Sequence, residues 1–191
     1  MTGKVVVVGS SNIDLIMKME RLPRPGETVT EAEFAQVFGG KGANQAVGAA
    51  RAGGKVAFVS CVGDDAYGGQ VIENLERDGI DTRHVSQEEG VATGTALIMI
   101  DAGGENCISV APGANYRPTP AHVDRARDAI EEATVVIAQC ELLPETLDHV
   151  NHLGVRRGTH VQLNLAPARA LNDASLGKLG ALAVNETEAE F

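Results

Sequence analysis

Three things are scarce in this chain of 191 residues. Cysteine occurs only at Cys61, Cys107 and Cys140, an odd number, widely spaced and without a C-x-x-C pair. That pattern excludes a disulfide framework and reads as reduced, mostly buried thiols in a reducing compartment. Long apolar runs are absent, and residues 1–20 lack the charged start and apolar core of a signal peptide. The expectation is therefore a cytoplasmic protein with no membrane partner. Basic residues are few. Sixteen Lys and Arg against 26 Asp and Glu leave a formal net charge of −10, which argues against nucleic acid as a partner. A nucleotide is not excluded, because local groups decide its binding. Low-complexity tracts, internal repeats and interdomain linkers are also missing.

What is present fits a folded α/β domain, with 43% hydrophobic and 22% charged residues. "KVVVVG" at Lys4–Gly9 is an unbroken β-branched run, the mark of a strand buried on both faces. "NIDLIMKME" and "VTEAEFAQVF" suggest two half-exposed strands separated by the turn-rich "RLPRPGET". Ala43, Ala46, Val47 and Ala50 recur at helical spacing until Gly53 and Gly54 stop the helix. "KVAFVSCVG" is a buried strand and "DAYGGQVIENLERDGI" an amphipathic helix. "GTALIMIDAGGENCISVAPGAN" reads as two strands around the turn at Asp101–Gly104. Then follow the helix "PAHVDRARDAIEEA", the strand "TVVIAQC", the helix "LPETLDHVNHLGV" and the strand "THVQLNL". The loop "APARALNDASLGKLG" leads to "ALAV", a short buried strand, and to "NETEAEF". Alternating strands and helices imply a parallel sheet of βαβ units. The strand pairs near 14–37 and 94–111 break that rhythm and are expected to pair together as a small separate sheet.

Several groups could carry chemistry. Asn12 and Asp14 follow the first buried strand, where ligands bind in α/β sheets. Asp14 can accept from two neighbouring ligand hydroxyls, and Asn12 both donates and accepts. An Asn/Asp turn on leaving a strand reads equally well from position alone. Gly39 and Gly40 can adopt positive φ and admit a ligand close to the backbone. Lys41, Gly42, Ala43 and Asn44 open the helix, whose free N–H groups favour an electron-rich ligand. Glu141, past the end of a buried strand, should face a cleft. "GGKGAN" is not a Walker A loop, lacking its spacer and its Ser/Thr, and "VVVVGSSNID" is not a dinucleotide fingerprint. Asn185 and Glu188 in "NETEAE" read as a capped helix start with an acidic first turn. His149 and His152 lie three apart on one helix with no further ligands evident, and read as a surface helix rather than a metal pair.

Taken in order, "VVVVGSSNIDLI", "PRPGET", "FGGKGANQAVGAARAGG", "VGDDAYG" and "NETEAE" resemble the ribokinase-type (PfkB) sugar kinases from end to end. The resemblance implies a Rossmann-like α/β domain with a small β-sheet lid, the lid strands coming from about 14–37 and 94–111. It implies transfer of the ATP γ-phosphoryl group to a sugar hydroxyl, the 5-hydroxyl of ribose in the nearest members. Mg²⁺, a monovalent cation such as K⁺, and a homodimer formed through the lids come with it. It assigns Asn12, Asp14, Gly40, Lys41, Gly42, Ala43, Asn44 and Glu141 to the sugar, Asn185 to the nucleotide phosphates, and Glu188 to Mg²⁺ and its waters. The family's Gly-Ala-Gly-Asp motif, source of the catalytic base, has no match in these 191 residues. The C-terminal part of the fold, with the adenine pocket and the K⁺ site, is expected to be absent as well. Three functions follow: a ribokinase whose remainder is missing, a relative acting on another sugar or nucleoside, and a non-catalytic sugar-binding or regulatory module.

Overall fold

The computed structural model describes residues 3–156 and 158–190. Four successive valines, stiff at χ1 and suited to a pleated surface, form strand β1 (Lys4–Val8), and its last three residues are buried. The chain then leaves the main sheet as β2 (Asn12–Lys18) and returns as β3 (Glu33–Gly39). Helix α1 (Lys41–Arg51) follows at once and buries Gly42, Ala43 and Ala46. That small-residue stripe lets it lie close against β1. A Cβ on Gly42 would come within 2.7 Å of the Gly9 carbonyl carbon. Next come β4 (Lys55–Gly63), α2 (Ala66–Arg77) and β5 (Asp81–Glu88). A second hairpin, β6 (Gly94–Ile100) and β7 (Asn106–Ala111), ends in a 3₁₀ turn at Gly113–Tyr116.

The remainder is α3 (Pro120–Arg125), α4 (Arg127–Glu131), β8 (Val135–Gln139), α5 (Pro144–Arg156) and β9 (His160–Asn164). It closes with α6 (Asp173–Leu176), β10 (Ala181–Ala183) and α7 (Glu186–Ala189). The main sheet has six parallel strands in the order β10-β9-β8-β1-β4-β5. Helices α1 and α2 cover one face, where Leu75 of α2 joins the cluster of Val7, Phe58 and Val62. On the other face α3, α4 and α5 bury Ile130, Leu147, Val150 and Leu153 against Val136 and Leu163. Among the described residues, no helix is long and apolar enough to cross a membrane.

The two hairpins join into a separate four-stranded sheet, β3-β2-β6-β7, with β2 and β6 parallel at its centre. Register places Asp14 opposite Val37 and Ala96, and Ala96 opposite Val110. Side chains alternate between faces. One face of this sheet therefore carries Asp14 at its base and Ile16, Ile98 and Ile108 further out.

Some sequence expectations are corrected. "PAHVDRARDAIEEA" is two short helices meeting at Ala126, not one. "ALAV" is not buried. It forms β10 at the sheet edge, with Leu182 44% and Val184 42% exposed, because nothing described pairs beyond it. β3 begins only at Glu33 and is exposed over almost its whole length, since it too is an edge strand. Cys107 lies exposed on β7, whereas Cys61 and Cys140 are buried, and all three thiols are free. Strand β5, the 3₁₀ turn and α6 carry no sequence signal of their own. His149 bonds Asp124 Oδ1 at 2.9 Å and forms no pair with His152.

Candidate active site

Strand order turns back on itself at β1: the chain proceeds from β1 to β4 on one side and later to β8 on the other. Loops leaving the carboxyl ends of β1 and β8 therefore diverge to opposite faces, and a crevice opens between them. Ser10, Ser11 and Asn12 leave β1 there, Glu141 leaves β8, and the start of α1 reaches the same point.

Gly40 caps α1 with φ 90°, a conformation a side chain rarely adopts. A Cβ on it would also lie 2.6 Å from the Ser11 Cα. Gly39 does not adopt positive φ. Its role is space, because a Cβ there would collide with the Asp14 carboxylate. The pair therefore lets the Asp14 carboxylate and the Ser10–Asn12 backbone pack directly against the turn.

The N–H groups of the first helical turn are not free, contrary to the expectation from sequence. Lys41 N–H donates to Glu141 Oε2 at 3.1 Å. Gly42 N–H donates weakly to Ser10 Oγ at 3.4 Å, and Ala43 N–H to the Ser10 carbonyl at 2.9 Å. Asn44 N–H bonds Gly40 O at 3.0 Å, and its side chain is exposed. Ser10 Oγ in turn donates to Glu141 Oε2. Glu141 thus caps α1 with one oxygen, while Oε1 stands 3.6 Å from Lys41 Nζ. Its negative charge at a helix N-terminus is favourable.

Asn12 is buried and accepts at Oδ1 from Asn115 Nδ2 at 2.7 Å. Asn115 Oδ1 accepts from the Ser11 N–H at 2.9 Å. Asn115, in the 3₁₀ turn after β7, thereby ties the root of the small sheet to the end of β1. Asp14 is half-buried. Burial pushes its carboxyl above the usual range, the Glu141 charge adds to the push, and Lys41 opposes it. Two carboxylates and one ammonium converge, and among the described residues no hydrogen-bond donor is bonded to Asp14. Such a constellation suits a neutral ligand rich in hydroxyls, which can donate to Asp14 and accept from Lys41.

Sequence reasoning reached Asn12, Asp14, Gly40, Lys41, Gly42, Ala43 and Glu141, which the fold brings together. It missed Ser10 and Asn115. "GSSN" and "PGAN" carried no local signal beyond a turn.

Asn185 and Glu188 stand apart, beyond β10. They form a reciprocal cap on α7: Glu188 N–H donates to Asn185 Oδ1 at 2.8 Å, and Asn185 N–H to Glu188 Oε2 at 2.9 Å. Glu188 Oε1 makes no described bond. Nearby Arg169 binds the Leu142 carbonyl through Nη1 at 2.7 Å, while its buried Nε and Nη2 find no partner among the described residues. Glu188 and Arg169 both line an open depression of about 500 Å³ with Leu165, Leu171, Leu182 and Val184. A free carboxylate oxygen suits Mg²⁺ and unpaired guanidinium N–H groups suit phosphate oxygens, so these residues fit a metal–nucleotide group. Cavity size alone is no guide. A space of about 580 Å³ opens at the opposite, amino end of β1 and β4, lined by Lys4, Lys55 and Arg83.

A six-stranded parallel sheet with a second, four-stranded sheet rooted at its switch point is the architecture shared with solved ribokinase structures. The family model of the pfkB family carbohydrate kinases matches residues 2–191, and the chain belongs to that family. Ribokinase of Staphylococcus aureus is 38% identical over 192 residues, covering 100% of this chain and 63% of its own length. Deoxyribokinase of Salmonella typhi is 37% identical over 188 residues, covering 98% and 61% respectively. The structure of Arabidopsis thaliana ribokinase complexed with ribose and ATP superimposes with a TM-score of 0.90 at 32% identity, over 98% of this chain and 62% of that one. The chain thus spans about three fifths of the length of the curated relatives it matches.

Proposed function

We propose that this chain carries the sugar-binding portion of an ATP-dependent ribokinase, which phosphorylates D-ribose at its 5-hydroxyl. The observation that supports this reading is the convergence of Asp14, Glu141 and Lys41 at the Gly39–Gly40 turn, where the glycines let Asp14 sit directly on the backbone. Asp14 accepts two ribose hydroxyls. Lys41 Nζ donates to a third oxygen, and Asn12, fixed by the bond its Oδ1 accepts from Asn115, keeps its amide N–H groups to donate. Asn185 and Glu188 stand on the nucleotide side. Mg²⁺ bound through Glu188 and its waters would supply charge neutralisation for the phosphoryl groups. K⁺, a catalytic base and the adenine pocket would come from residues outside these 191. Three free thiols suit the reducing cytoplasm. The outward apolar face of the small sheet suits a homodimer formed through that sheet.

A second sugar remains in play because a deoxyribokinase matches about as well as the ribokinases. Calorimetry with ribose, 2-deoxyribose and adenosine tests both readings. Ribose binding that Asp14→Ala abolishes is the expected result, and tighter binding of 2-deoxyribose moves the assignment to that sugar. Binding of none of the three overturns the proposal in favour of a module with another role. A coupled ADP assay with ribose, ATP, Mg²⁺ and K⁺ should show negligible turnover by the 191 residues alone, for want of a base motif. Turnover near the usual ~1–10³ s⁻¹ would mean that the base lies within them.

A further inference from the structure

Cys61, Glu88 and His122 come from three separate elements, β4, β5 and α3, and meet on the α3-bearing side of the main sheet. Their ligand atoms all lie within 4.8 Å of one another. Register explains the meeting. Cys61 pairs with Ser86 and Gly63 with Glu88, so Cys61 and Glu88 share one face at the carboxyl end of the sheet. Val59 on that face packs in the same cluster as Val123 of α3, and His122 precedes Val123. His122 Nε2 is 3.2 Å from Glu88 Oε1, and Cys61 Sγ is 3.9 Å from the same oxygen.

We propose that these three side chains form a binding site for a thiophilic divalent cation, zinc in the first instance, distinct from the sugar and nucleotide groups. The donor set is one sulfur, one imidazole nitrogen and one carboxylate oxygen, which selects zinc over the hard cations magnesium and calcium. In tetrahedral zinc sites with bonds of about 2.0–2.3 Å, neighbouring ligand atoms stand about 3.3–3.7 Å apart. The observed separations need only small side-chain rotations to reach that. The fourth position is left to water. Cys61 loses its proton on binding, so thiolate and carboxylate together balance the ion's two charges. The buried thiol is pushed up to about 11, chiefly by burial, and only a strongly sulfur-seeking ion displaces that proton at neutral pH. Arg125, which reaches Ser86 Oγ at 3.5 Å, keeps a positive charge at the rim.

The imidazole has its own support. His122 Nδ1 lies 2.8 Å from Thr119 Oγ1, and that pair is part of the cap of α3. With the metal on Nε2, Nδ1 carries the proton and donates to Thr119 Oγ1, giving up the long 3.3 Å bond it otherwise accepts from the Thr119 N–H, and this fixes ring and tautomer. Without metal, Cys61 Sγ and His122 Nε2 both donate to Glu88 Oε1. A bound ion would pin α3 to β4 and β5.

Cobalt(II) substitution of the 191-residue chain decides between ion site and hydrogen-bonded cluster. One cobalt per chain is expected, with the sulfur-to-cobalt charge-transfer band and the visible bands of a tetrahedral ion, and zinc should displace it. Cys61→Ser should remove the sulfur band. Glu88→Gln and His122→Gln should weaken binding by more than about tenfold. Gln at position 122 still completes the helix cap, so that variant keeps the fold if Cys61→Ser does not, as circular dichroism reports. Cys107→Ser and Cys140→Ser should change nothing. The proposal is overturned by less than stoichiometric cobalt, by a sulfur band that survives Cys61→Ser or vanishes in Cys107→Ser, or by unaltered affinity in both Gln variants.

Discussion

Ser10 and Glu141, 131 positions apart, share a hydrogen bond at the mouth of the crevice, and through it Glu141 caps the helix that begins at Lys41. The acidic group read as a sugar contact is therefore also the cap that the Gly-rich turn lacks, for Gly40 has no side chain to cap with. Its charge reaches Asp14, whose carboxyl is raised by burial first and by Glu141 second.

Asp14→Asn should stabilise the fold at neutral pH while weakening ribose binding. A raised carboxyl contributes stability fully present below its unfolded value, about 3.9, and lost as pH rises through the higher folded value. The loss persists at pH 7 in the wild type and is absent in the Asn variant. Thermal unfolding at pH 7 and near pH 3.5 should show an advantage for Asn that shrinks at the lower pH. Ribose affinity should fall by about 1.5–3 kcal/mol, measured by calorimetry. Equal stability of the two proteins at both pH values would contradict this.

Gly42→Ala should destabilise the chain by about 1–3 kcal/mol. The new methyl would stand 2.7 Å from backbone atoms of Gly9 and Ser10, which cannot rotate away as a side chain could. Urea unfolding measures it. Gly48→Ala, on the open side of the same helix, should be neutral or stabilising.

Asn115→Ala should cost about 1–3 kcal/mol, because it strands the Ser11 N–H and removes the donor from Asn12. Hydrogen exchange at Ser11 is expected to quicken. An unchanged exchange rate there would show that Asn115 does not tie the small sheet to β1.

On the proposed dimer through the small sheet, Ile108→Lys should shift the chain from dimer to monomer, read by light scattering on a sizing column. Ile108 and Val110 are 53% and 55% exposed on the Asp14-bearing face. At so exposed a site the change should alter stability by no more than about 0.5 kcal/mol. Dissociation by Leu182→Lys instead would place the contact at the β10 edge.

Legibility from sequence followed the range of the interactions. The valines of β1 and the alanine stripe of α1 announce themselves through nearest neighbours. β5 did not, because "DTRHVSQE" is an edge strand whose residues are mostly half-exposed, so apolar alternation never develops. "ALAV" misled in the opposite sense: an apolar string promises burial, but exposure depends on what lies beside it. Ser10, Asn115 and Cys61 take their roles from partners 131, 103 and 27 positions distant, and no periodicity encodes such pairings.

The small sheet is rooted on the body of the protein at the row where Asn12 stands opposite Gly39 on one side and Gly94 on the other, and it is held further out by Gln36 Nε2, which donates to Gln70 Oε1 of α2 at 2.7 Å. Two of those three residues are glycines, and a Cβ on Gly94 would strike Asn12 and Asn115. Were the sheet to turn about that row, distance from it would set how far each residue travels. Asp14 lies two residues out, about 7 Å, and Lys18 six residues out, about 20 Å. For any given rotation Asp14 moves about a third as far as the outer rim. In such a turn the strands would act as a lever with the Asp14 carboxylate near its fulcrum, so the rim would swing wide while the group proposed to hold the sugar kept its aim.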